Sequence, residues 1–301
     1  MKVDSLVALS EKLKIKYSLN EPMAHHTSFK IGGAADIALF PESQQQLTEI
    51  LKTAKENGIP CTVLGKGCNV LVSDGGIEGA VIITLLMQQI ILVNETVILA
   101  EAGATLASVC RFARDNSLTG LEFAYGIPAT VGGALYMNAG AYGGDMSMVV
   151  KSATSLNKNL EQICRKNEEM DLGYRKSVYE ENGEIVTSVV FNLEVGDKEK
   201  ISTDMEAIMA KRKKSQPLEY PSAGSTFKRP EGYFAAALID ECGLKGFGVG
   251  GAQVSEKHAG FVINNGGATC NDVLTLIENI KSVVKEKRGV TLNTEVIHIG
   301  R

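Results

Sequence analysis

Gly65-Lys66-Gly67-Cys68-Asn69 follows directly on the apolar run Cys61-Thr62-Val63-Leu64, and Gly126-Ile127-Pro128-Ala129-Thr130-Val131-Gly132-Gly133 lies about sixty residues further on, across a series of short strands. Each loop packs several glycines into a small space. Glycine has no Cβ and adopts positive φ, so backbone N–H groups can converge on a phosphate. Two such loops point to a phosphorylated cofactor held deep in the protein. Their wide separation argues against a single P-loop or Rossmann site.

Outward from these loops the pattern mixes strands and helices without strict alternation, which is α+β rather than doubly wound α/β. An amphipathic helix with Leu6, Leu9 and Leu13 on one face opens the sequence. Residues 25–33 read as strand and turn, and residues 36–40 as a strand. Ser43 and Gln46 form a capping box before a helix with the stripe Leu47, Ile50, Leu51 and Ala54, stopped by Asn57-Gly58 and Pro60. Short strands follow at 61–64, 70–72 and 80–84, then a hairpin pairs 90–93 with 97–100. Thr105 caps a helix with Val109, Cys110 and Ala113 inward, and residues 151–156 and 185–191 read as strands. A charged break at 196–200 marks a domain boundary. Beyond it come a helix ending in Lys211-Arg212-Lys213-Lys214, of which Lys213 and Lys214 read as a solvated helix end, a second helix near Phe234, and a third opened by Asn271 and Asp272. The stripe of the third is Val273, Leu276, Ile277, Ile280, Val283 and Val284, and Gly289 ends it. Residues 294–299 form the closing strand.

The bulk numbers exclude several classes. The 301 residues are 44% hydrophobic and 22% charged, as in ordinary globular proteins. A net charge of −4 gives no sign of a nucleic-acid partner. No apolar run reaches a membrane span, and no export signal is visible at the start, so no membrane partner and a cytoplasmic location are expected. The six cysteines form no C-x-x-C pair, so buried reduced thiols are expected and no metal site.

Taken with further motifs, the two loops become specific. The sequence resembles the UDP-N-acetylenolpyruvoylglucosamine reductases, flavoenzymes of bacterial cell-wall synthesis. The resemblance covers nearly the whole length. It rests on residues 27–33 (TSFKIGG), 65–69 (GKGCN), 126–128 (GIP), 132–143 (GGALYMNAGAYG), 173–177 (GYRKS), 223–230 (AGSTFKRP), 238–240 (LID), 243–246 (GLKG) and 293–296 (NTEV). Two departures stand out: Cys68 where the family usually has serine, and Ala129 where it usually has glycine. The connection before Gly173-Tyr174-Arg175 is short, which resembles the subtype without a tyrosine-bearing lid loop.

The resemblance implies an FAD-binding region of the vanillyl-alcohol oxidase/PCMH type over 25–195, in subdomains of about 25–85 and 86–195. A helical arm over 1–24 precedes it. A smaller α+β substrate-binding domain over 196–292 follows, and a C-terminal strand over 293–301 returns to the flavin region. The expected FAD contacts are Gly65, Lys66, Gly67, Cys68, Asn69, Val70, Gly126, Ile127, Pro128, Thr130, Gly132, Gly133, Ala134, Asn138, Gly140 and Ala141. FAD is expected to be non-covalent, although His25 and His26 are nominal attachment points. The implied reaction reduces UDP-N-acetylglucosamine enolpyruvate to UDP-N-acetylmuramate. NADPH reduces FAD and leaves, then hydride goes to the terminal vinyl carbon and an enolate-like charge develops beside the carboxylate.

That charge needs electrophilic support and a proton. Arg175 suits the first, as a permanently charged fork for a carboxylate. Ser225 suits the second, presented by the preceding Gly224. Glu295, near the same carboxylate, is either protonated or held by Arg175 or a lysine. Tyr174, Lys228, Arg229, Lys245 and His258 are expected substrate contacts, Lys245 foremost. The rival readings are another FAD oxidoreductase of the same fold and an inactive nucleotide-sugar binding module.

Overall fold

The computed structural model describes residues 3–301. The described chain divides into two compact units, one made of 3–18, 37–66 and 79–212, the other of 19–36, 67–78 and 213–301. Each unit is discontinuous in sequence.

In the first unit, helices α1 (Asp4–Leu13) and α2 (Gln44–Glu56) cover strands Cys61–Leu64 and Ile77–Ile83, which pair in parallel with Cys61 opposite Ala80. α2 follows from its pattern: Leu47, Ile50, Leu51 and Ala54 recur at helical spacing and all are buried. Ser43 Oγ accepts the Gln46 N–H, and Gln46 Oε1 accepts the Glu42 N–H rather than that of Ser43, so the expected box is displaced by one residue. A five-stranded antiparallel sheet has the order Gln162–Lys166, Val150–Leu156, Ile185–Asn192, Val97–Glu101, Ile90–Leu92. The hairpin expected at 90–100 is its edge. α3 (Leu106–Asp115) starts where expected, with Thr105 Oγ1 accepting the Ser108 N–H, and it buries Val109, Cys110 and Ala113. Two short helices, α4 (Val131–Tyr136) and α5 (Val178–Asn182), carry the second glycine loop and the segment after Arg175. α6 (Lys198–Ser215) follows.

In the second unit, α7 (Ala235–Glu241) and α8 (Cys270–Arg288) bury one face each in a core with Phe29, Leu71, Phe227 and Val254. A three-stranded sheet has the order Gly248–Val249, Ala252–Val254, Val262–Asn264. Strand Ile297–Ile299 pairs in parallel with Val70–Val72.

Three expectations need correcting. Residues 25–33 are not a strand: a single 3-10 turn spans Met23–His25, and Lys30 and Gly32 then take positive φ, which breaks any extended run. The opening of α8 lies at Thr269, whose Oγ1 accepts the Asp272 N–H while the Asp272 carboxylate accepts the Thr269 N–H. The closing strand is shorter, Ile297–Ile299, with Thr294 in an isolated bridge to Phe227.

Among the described residues no helix is long and apolar enough to cross a membrane, and no cluster of His, Cys, Asp and Glu could hold a metal ion. All six cysteines are free thiols. Burial pushes Cys110 up to about 12, which leaves it an unreactive thiol.

Candidate active site

Gly65, at the head of the first glycine loop, meets the second loop in the first unit. A Cβ on Gly65 would collide with Thr130 Oγ1, and Gly133 would bring one to 3.4 Å from the same atom. Gly65 is therefore required for space, not for φ. Thr130 is 1% exposed, and its hydroxyl has no hydrogen-bond partner among the described residues. A buried hydroxyl left unpaired is costly. Such a donor between two glycine turns fits the anionic part of a dinucleotide. The second loop is clamped from behind by a segment that sequence reasoning missed. The Val131 N–H bonds the Ala104 carbonyl at 2.8 Å, and the Gly132 N–H bonds that of Ala102 at 2.9 Å. A Cβ on Gly132 would come within 2.9 Å of Ala102 Cβ. The run Ala102-Gly103-Ala104 was the available signal: small residues directly after a strand mark close backbone approach. Ala129 is buried without positive φ, so the family's usual glycine is not a conformational need at this position.

Arg175 lies in the same unit. Gly173 and Lys176 exchange backbone hydrogen bonds at 3.1 and 3.3 Å, which closes a tight turn around Tyr174 and Arg175. Arg175 takes φ 52°, a left-handed conformation uncommon for a long side chain. Its Nη2 donates to the Gly140 carbonyl at 3.1 Å, and its guanidinium lies 5.2 Å from the exposed Tyr174 ring. Gly140 belongs to a hairpin, Gly140–Ala141 against Gly144–Asp145, turned by Tyr142 and Gly143 at positive φ. Ser177 Oγ donates to the Tyr136 carbonyl at 2.6 Å and seats the next segment against α4.

The second unit holds other expected residues, among them Gly67, Asn69, Ser225, Lys228 and Glu295. Gly67 takes φ 60°, and a Cβ there would strike the His26 carbonyl. Its own carbonyl accepts the Ser28 N–H. Asn69 Nδ2 donates to the Glu295 carbonyl at 3.2 Å, and the Asn69 carbonyl accepts the Ile297 N–H at 3.0 Å. The Glu295 N–H bonds the Thr226 carbonyl at 2.8 Å, and Lys228 and Asn293 pair one step further along. Ser225 precedes the doubly anchored Thr226, whose N–H bonds the Gly260 carbonyl and whose Oγ1 accepts the Val262 N–H. With Gly224 at φ 78° behind it, Ser225 is exposed. Asn69, Glu295 and the residue after Ser225 are thus tied to one another through hydrogen bonds to the Glu295 backbone.

Several of the expected substrate contacts have partners within the chain. Lys245 is paired with Asp240 at 2.6 Å, and the Arg229 guanidinium lies over the Phe234 ring at 4.6 Å. Burial lowers the pKa of the half-buried His258, with help from the Lys245 charge. Its Nδ1 accepts the Gly260 N–H, so in the neutral ring the proton sits on Nε2.

The comparisons with known proteins now fit this geometry. Residues 216–299 match the model for UDP-N-acetylenolpyruvoylglucosamine reductase, C-terminal domain, and residues 35–159 match that for an FAD binding domain. The UDP-N-acetylenolpyruvoylglucosamine reductase of Clostridium novyi (strain NT) is 50% identical, over 98% of this chain and 95% of its own. The chain belongs to the UDP-N-acetylenolpyruvoylglucosamine reductase family. The reductase (MurB) from Thermus caldophilus superposes with a TM-score of 0.80 at 35% identity, covering 94% of this chain and 98% of that one. At the level of fold alone, the Physcomitrella patens protein BBE-like 1 matches with a TM-score of 0.50 and 15% identity, over 63% of this chain and 44% of its own. The fold is therefore an FAD-binding region of the vanillyl-alcohol oxidase/PCMH type joined to the family's C-terminal domain. As a member of this reductase family the chain is an FAD-dependent oxidoreductase of peptidoglycan precursor synthesis.

Proposed function

We propose that this chain reduces UDP-N-acetylglucosamine enolpyruvate with NADPH, and that Arg175, Ser225 and Glu295 divide the second half of that reaction. FAD, when bound, supplies the two-electron chemistry, taking reducing equivalents from NADPH and passing them to the substrate's vinyl group. Thr130, between Gly65 and Gly133, would donate to its pyrophosphate.

Arg175 holds the substrate carboxylate through its planar fork and stabilises the negative charge that develops beside it. Ser225 Oγ gives its proton to the adjacent carbon. A serine hydroxyl is a weak acid, yet an enolate-like carbon is basic enough to take that proton. Glu295, when its carboxyl carries a proton, donates a hydrogen bond to the same charge. His258 offers Nε2–H, and Lys228, Arg229 and Lys245 offer positive charge, to the nucleotide diphosphate. Tyr174 packs beside the substrate. The reading draws on one observation above the rest: the Glu295 N–H is bonded to the Thr226 carbonyl, and the Glu295 carbonyl to Asn69.

Anaerobic mixing tests the whole. The yellow holoenzyme is expected to bleach with NADPH and to recover its colour on adding the enolpyruvyl sugar nucleotide. Bleaching without recovery would refute the substrate assignment. No bleaching would refute NADPH as the reductant.

A further inference from the structure

We propose that Asn138 is a positioning residue for Arg175, acting through its side chain rather than as a cofactor contact. The inference rests on the reading of Arg175 given above. α4 ends in a Schellman motif: the Asn138 N–H bonds the Leu135 carbonyl at 3.0 Å, and the Ala139 N–H bonds the Ala134 carbonyl at 2.8 Å. The residue after the C-cap of such a motif is usually glycine, because it must take positive φ. Here it is Asn138 at φ 39°. The backbone alone would favour glycine, so the side chain has its own reason to be present.

Both ends of that side chain are engaged inside the chain, at 2% exposure. Nδ2 donates to the Gly173 carbonyl at 2.9 Å, and Oδ1 accepts the Ser147 N–H at 3.0 Å. Gly173 opens the turn that carries Arg175. Arg175 in turn donates to Gly140, two residues after Asn138. The turn and the glycine hairpin are thus tied by two crossing hydrogen bonds, one from each side. A guanidinium that must meet a carboxylate as a fork depends on where its turn sits, and Asn138 fixes that turn at its first carbonyl.

Asn138→Gly keeps the left-handed backbone and removes only the side chain. Three flavin-loaded proteins carry the test: Asn138→Gly, Arg175→Lys and the double variant. Tryptic cleavage after Arg175 and Lys176 reads the tether directly, and it is expected to rise about fivefold in Asn138→Gly as the hydrogen bond to the Gly173 carbonyl is lost. Stopped-flow mixing is expected to show substrate reduction falling about tenfold more than flavin reduction, which a general loss of structure would not produce. The double variant is expected to be no worse than Arg175→Lys alone, since both act through one fork. Unchanged cleavage, additive losses, or flavin loss with the turn still protected would each overturn the inference. If Arg175→Lys itself spares substrate reduction, the reading of Arg175 fails instead, and the cleavage rate still decides for or against the tether.

Discussion

Arg175 and Glu295 are assigned to the same substrate carboxylate, yet they are held in opposite ways. Arg175 rides on a four-residue turn that closes on itself between Gly173 and Lys176. Glu295 has its backbone fixed by Thr226 and by Asn69, the latter 226 residues away in sequence. The local arm needs only its turn and one tether to be placed. The long-range arm exists only once three distant segments have paired. A loose turn should therefore dull the first arm without harming the fold, whereas damage to the second should be felt in both folding and chemistry.

The sharpest way to break this comparison is Ser225→Ala. Loss of a positioned proton donor costs on the order of 10³-fold. Substrate reduction is expected to fall by that amount while flavin reduction by NADPH persists, as measured by single-turnover mixing. Equal losses in both halves would remove Ser225 from proton donation.

Next in size is a glycine pair. Gly67→Ala places a Cβ against the His26 carbonyl at φ 60° and should cost about 3 kcal/mol in urea unfolding, with loss of flavin. Gly173→Ala on the local arm meets the Lys176 side chain no closer than 3.7 Å and should stay within about 1 kcal/mol. Similar midpoints for the two would erase the distinction.

Glu184 supplies a smaller effect in the first unit. It is buried, paired with Arg165, and accepts the Ser155 hydroxyl at 2.7 Å. The hydrogen bond from Arg165 leads in holding its carboxyl below the ordinary value of 4.5. A depressed carboxylate stabilises the fold above its unfolded pKa, and that stabilisation is lost as pH falls through the folded one. Glu184→Gln should cost about 2 kcal/mol at pH 7, and the difference from the parent should shrink below pH 4.5. Melting curves at several pH values check this, and a constant gap would contradict it.

The smallest change concerns Asp74, whose carboxylate accepts the Cys270 and Asn271 N–H groups at the start of α8. Asp74→Ala should cost about 1 kcal/mol, because a helix N-terminus loses an anionic partner. No change in the melting of the second unit would mean that Thr269 and Asp272 suffice alone.

The elements that could be read from sequence are those whose signals are local. Helices α2 and α3 announced themselves by apolar spacing and a capping hydroxyl, and the Gly-Tyr-Arg turn by its motif. Lys16–Pro22 escaped because it is a polar strand with no alternation of buried and exposed residues. Residues 25–33 misled because apolar Phe29 and Ile31 alternate as a strand would, while Lys30 and Gly32 turn the backbone back. At the site, residue types were legible and neighbours were not. Nothing near Asn69 signals Glu295, and nothing in the second glycine loop shows that Thr130 fills the space beside Gly65.

The pairing of Val70–Val72 with Ile297–Ile299 carries a consequence for synthesis in the cell. At about 5–20 residues per second, the 226 positions between Asn69 and Glu295 correspond to a wait of roughly ten to forty-five seconds. During that interval the first glycine loop is already out of the ribosome while its strand has an unsatisfied edge. A nascent chain in that condition is a natural client for chaperones. Closure of this loop against Glu295 is thereby deferred until translation has moved more than two hundred codons further.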